Sequence, residues 1–81
     1  MDFAEDFESF TVRDALEEAF FGTNEGETFV LLTVDNLEVG WADSYEAALE
    51  EFEGYLDNEV FTFDDVESED GRQGFEVTVF A

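Results

Sequence analysis

The chain has 81 residues, 24 of them Asp or Glu against two arginines and no lysine, for a formal net charge of −22. It contains no cysteine, histidine or proline, which excludes ordinary zinc, haem and iron–sulfur ligand sets, a Ser-His triad and a thiol nucleophile. Without lysine there is no P-loop and no Schiff base, and without a basic surface there is no direct nucleic-acid binder, because phosphate counterions must be replaced by cations.

The length allows one domain spanning 1–81, near the lower limit of what folds without staples. No disulfide can form, so an apolar core must suffice. Hydrophobic residues make up 44% of the chain and 11 residues are Phe. Acidic disordered tails are poor in aromatics, so this composition indicates a folded domain working against its own charge repulsion. No apolar run approaches the roughly 20 residues that cross a bilayer, no basic-then-apolar start reads as a secretory signal, and anionic lipid would repel the surface. The expectation is a cytoplasmic protein that does not engage membranes.

In chain order, Phe3, Phe7 and Phe10 fall at i, i+4, i+7, a helical spacing that Asp2 could cap. A short strand ending at Val12 is the competing reading. Thr11 followed by Asp14 has the form of a capping box. The stripe Val12, Ala15, Leu16, Ala19, Phe20 then predicts a core-facing helix that Gly22 stops, with Phe21 off the stripe. Residues 23–26 form a turn. Glu27 to Asp35 reads as a strand apolar on both faces at its centre, an interior strand covered on at least one side.

Asp35-Asn36 makes a tight turn into a strand from Leu37 to Ala42, where Leu37, Val39 and Trp41 alternate as the inward set. Ser44 caps the next helix. Tyr45, Ala48, Leu49, Phe52, Tyr55 and Leu56 trace its core stripe, which extends the helix to Leu56. A second hairpin pairs Glu59–Asp65 with Phe75–Phe80 across an acidic loop, residues 67–74, in which Asp70-Gly71 favours a turn. Phe80 points away from Val77 and Val79. The predicted fold is α+β, a four-stranded, mostly antiparallel sheet with two to three helices on one face. With residues 3–12 as a strand it would be closer to ferredoxin-like.

Opposite the apolar stripe of the second capped helix lie Glu46, Glu50, Glu53 and Asp57, with Glu51 beside them. At about 1.5 Å per residue, four carboxylates on one line would span roughly 16 Å. Glu46 and Glu50 form a like-charge i,i+4 pair that costs about 0.2–0.5 kcal/mol, and Asp57 would stand where the helix dipole favours a cation. Such a pattern is not shaped for stability.

In size, charge and a carboxylate-striped small α+β pattern, the whole chain resembles the DNA-mimic inhibitors that phages and mobile elements encode, of the anti-restriction and anti-CRISPR type. The resemblance involves no shared motif. It implies a non-enzymatic inhibitor that occupies the positively charged groove of a basic nucleic-acid-binding protein, in the host cytoplasm if phage-encoded, as a monomer or homodimer and with no cofactor. The candidate contact residues come from the helix pattern and the acidic hairpin loop: Glu46, Glu50, Glu51, Glu53 and Asp57, then Asp64, Asp65, Glu67, Glu69 and Asp70.

Other readings attach to the same features. A salt-adapted halophilic domain would also be acidic and lysine-poor, although such chains usually keep arginine. An immunity- or antitoxin-type binder of a basic protein would share the electrostatic logic. Asp65, Glu67, Glu69 and Glu76 hold EF-hand positions 1, 3, 5 and 12, but Asp70 stands where the loop needs Gly and the flanks read as strands. Adjacent acids such as Asp64-Asp65 or Glu17-Glu18 point in different directions and make poor acid/base pairs. Trp41, Tyr45 and Tyr55 read as core residues. Arg13 and Arg72 read as partners of nearby acids, with no functional role.

Overall fold

A computed structural model describes residues 10–80 of the chain. The predicted segment of Phe3 and Phe7 lies outside the described residues. Phe10 itself is not helical. Its carbonyl accepts from the Val60 N–H at 2.7 Å, and Thr11 makes an isolated antiparallel bridge with Glu59. Thr11 then caps helix α1, Val12–Phe20. Its hydroxyl accepts from the Asp14 N–H, while the Asp14 carboxylate accepts from the Thr11 N–H at 3.1 Å. The capping box read from the sequence is therefore formed, and all five stripe residues of α1 are buried.

Strand β1, Phe29–Val34, turns through Asp35 and Asn36 into β2, Leu37–Ala42. Both turn residues have positive φ, 52° and 70°, the conformation a two-residue hairpin needs to match strand twist. Helix α2, Tyr45–Glu51, follows its Ser44 cap. It is shorter than the periodicity predicts. Phe52 leaves helical geometry at φ −106°, ψ 24°, and a 3-10 turn covers Glu53–Tyr55. The break at Phe52 keeps its side chain fully buried, and Tyr55 and Leu56 still pack on the core edge. The apolar stripe was thus correct about burial and wrong about continuous helix.

Strands β3, Val60–Glu67, and β4, Gln73–Val79, form the second hairpin. Its loop is shorter than predicted. Gly71 at φ +92° makes the turn at Asp70-Gly71, and its N–H bonds the Ser68 carbonyl at 3.0 Å. The sheet order is β2-β1-β4-β3. Both hairpins are antiparallel, and the central pair β1–β4 is parallel. The mostly antiparallel α+β architecture is as expected, with the parallel seam joining two hairpin units.

One face of this sheet carries the core. Val30, Leu32 and Val34 of β1 and Val77 and Val79 of β4 are buried with the α1 stripe, Ala48 and Phe52. Phe63 stacks on Phe75 with centroids 5.0 Å apart, and Phe10 tilts onto Phe63 at 5.7 Å. Ala42 and Gly40 face the helices from β2. Register pairs Gly40 and Ala42 with the core-facing Leu32 and Val30, and the Glu51 side chain of α2 reaches over Gly40. That register corrects the predicted alternation of β2. The small residues face inward, leaving Leu37, Val39 and Trp41 exposed.

Candidate functional site

The described residues hold 20 acids and the chain's two arginines. Arg13 pairs with Asp57 at 3.5 Å, and Arg72 with Asp43 at 3.9 Å. Both pairs are well exposed to water, so their contribution to stability is small. Two cations cannot neutralise this surface. Neither helix has a basic residue in its last turn.

The structure divides the ten sequence-predicted contact residues among five places. Glu46, Glu50 and Glu51 lie on α2. Glu53 is in the 3-10 turn, and Asp57 is beyond it with Arg13 as partner. The straight 16 Å line is therefore corrected: the α-helical rise ends at Glu51. Asp64, Asp65 and Glu67 belong to strand β3 and not to a loop, leaving Glu69 and Asp70 in the hairpin connection. Strand alternation separates the first two of these. Asp65 pairs with Phe75 on the core-facing side, while Asp64 stands opposite Glu76 on the other face.

Among the described residues no helix lies on that other face. Register places Trp41, Leu31, Glu76 and Asp64 in one row crossing all four strands, about 14 Å from end to end at the usual strand spacing. The next row carries Glu38, Thr33, Thr78 and Thr62, and the Thr33 hydroxyl donates to Glu76 at 3.2 Å. On the opposite side of the Trp41 row, the Phe29 ring lies over Gly74, filling the space a Cβ would need.

Phe29, Leu31 and Trp41 floor a concavity of about 360 Å³ rimmed by Ser68, Asp70 and Arg72. Trp41 is 51% exposed. Its alternation with Glu38 and Gly40 predicts a core position, and the structure reverses that assignment. Tyr45 and Tyr55 do pack against the core. Sequence reasoning missed this face as a surface, although β1 reads as apolar on both sides; among the described residues only one of those sides receives helices.

Two carboxylates sit in local hydrogen-bond traps. Glu27 is held below the ordinary glutamate value by the Asn24 backbone N–H and then by its side-chain amide. Asp70 is held low first by the Ser68 hydroxyl and then by the Arg72 backbone N–H. Both traps order turns. Among the described residues no three acids gather in a metal-binding group, and the flanks of the 65–76 segment are strands.

At the far end of the β3–β4 hairpin, Phe61 and Phe80 form an edge-to-face pair with centroids 4.9 Å apart, both largely exposed. Phe21, just past α1, is 87% exposed. No helix among the described residues is long and apolar enough to cross a membrane. Comparison with protein-family models, curated proteins and solved structures finds no match to this chain.

Proposed function

We propose that the chain is an acidic inhibitor of DNA-mimic type, which occupies the positively charged nucleic-acid groove of a basic protein. The observation that carries this reading is where the carboxylates stand. Asp64 and Glu76 oppose each other across a strand pair, where like charges are destabilising. Glu46 and Glu50 repeat the arrangement on α2, and neither helix end has a compensating cation. Each placement disfavours folding, so the charge is explained by what it meets outside the fold.

The overall dimensions support the same reading. The body measures 43 × 28 × 21 Å. Duplex DNA 43 Å long carries about 25 phosphates at one per ~1.7 Å of axis, comparable to the 20 described acids. Binding would need no cofactor and no chemistry. Electrostatic steering would make association fast and strongly salt-dependent.

The test is competition with DNA. Immobilised chain is exposed to lysate, washed, and eluted with duplex DNA whose phosphate concentration matches the immobilised carboxylate. A groove-binding mimic releases its partner into the DNA eluate. A partner that remains through excess DNA and leaves only with salt is bound elsewhere than its DNA groove. That result replaces the mimic with an immunity-type binder.

A further inference from the structure

Resting on the reading of a basic partner, we propose that the open face of the sheet is its docking surface, with the Trp41–Phe29–Leu31 concavity receiving an arginine side chain. Exposed apolar patches on small proteins mark interaction sites, and binding energy concentrates where a large aromatic meets a buried partner group. Here the aromatic side chains of Trp41 and Phe29 line the concavity with Leu31, a lining suited to a guanidinium and its aliphatic stem.

The charge around the patch selects the occupant. The row that begins with Trp41 and Leu31 continues into Glu76 and Asp64. At the rim, the Arg72 charge is shared between Asp43, 3.9 Å away, and Asp70, so the three groups together carry one net negative charge. A cation with an apolar stem fits both halves of the surface. A second copy of this chain fits the apolar half but brings another net charge of −22, so self-pairing is disfavoured. The helix side has its own aromatic concavity, lined by Phe20, Phe21 and Tyr45, but a single carboxylate, Glu17, lines it, where the open face aligns Glu76 and Asp64 in one row with Trp41.

The test uses the full chain and a dye-labelled nona-arginine peptide at about 0.1 M salt, where screening is moderate. Peptide anisotropy reports binding, and the emission of Trp41, the single tryptophan, reports its location. Saturable binding with a matching change in Trp41 emission is expected. Trp41→Ala, and Asp64→Asn with Glu76→Gln, should each weaken binding about tenfold, as hot-spot truncations do. The charge-matched control Glu18→Gln with Glu25→Gln should change it less than about twofold. If Trp41→Ala fails to fold, the native emission change and the carboxylate double variant still decide the question. Binding with unaltered Trp41 emission and equal losses from both double variants overturns the docking face and leaves the basic partner standing. Absence of binding overturns both. A peptide-free dimer with shifted Trp41 emission assigns the face to a second copy and overturns the proposal.

Discussion

Asp64 of β3 and Glu76 of β4 stand directly opposite each other on the sheet face away from α1 and α2. Cross-strand neighbours interact strongly enough that like charges there are unfavourable. Asp64→Lys turns the pair into one of opposite sign without touching the core, since Asp64 is exposed. It should raise stability by about 0.2–1 kcal/mol in urea unfolding while weakening binding to a basic partner. A variant that gains neither stability nor loses binding removes this pair from the account.

Thr11 and Asp14 close the N-terminus of α1 reciprocally. Thr11→Ala should cost about 0.5–2 kcal/mol, the usual range for losing a cap. Because α1 buries five side chains against the sheet, the loss should appear as a global shift in unfolding midpoint with unchanged denaturant slope.

Gly74 lies beneath the Phe29 ring, and Gly74→Ala forces the ring off its seat. Overpacking of this kind costs about 1–3 kcal/mol. The same change reshapes the floor beside Trp41, so Trp41 emission should shift even where the variant stays folded. Paired Gly74→Ala and Phe29→Ala should recover part of the stability lost by the first alone.

Glu27 and Asp70 have lowered carboxyl pKa values because their turns donate hydrogen bonds to the charged forms. A lowered folded-state value means the contribution is fully present above the unfolded pKa and is lost as pH falls through the folded one. The Asn24 and Arg72 backbone amide resonances should therefore titrate at lower pH than the carboxylates of unstructured Glu and Asp peptides measured alongside. Midpoints equal to or above those peptide values would contradict the two traps.

Much of the fold was legible because local signals agreed with tertiary structure. The Thr11–Asp14 box, the α1 stripe, the Asp35-Asn36 turn and the bounds of β2 are all as read. What failed did so where a neighbouring element decided the outcome. The inward face of β2 is set by its register with β1, which puts Gly40 and Ala42 beside the core-facing Leu32 and Val30 and which no alternation in β2 itself reveals. The end of α2 at Glu51 is equally hidden, because a 3-10 turn keeps Phe52, Tyr55 and Leu56 on the core side. The acids announced themselves in composition, but their grouping depended on register. The pairing of β3 with β4 puts Asp64 beside Glu76, and the β4–β1 and β1–β2 registers align both with Trp41.

The central claim is that the carboxylates serve a partner and are not a requirement of the solvent. Thermal unfolding followed by circular dichroism in about 0.1 M and about 2 M KCl tests it most directly, since screening lengths fall from ~10 Å to below ~3 Å between them. The account predicts a cooperative transition already at the lower salt, with the midpoint rising as repulsion is screened. A chain unfolded at the lower salt and cooperative only at the higher would show that its acids answer to salt, contradicting the proposed function.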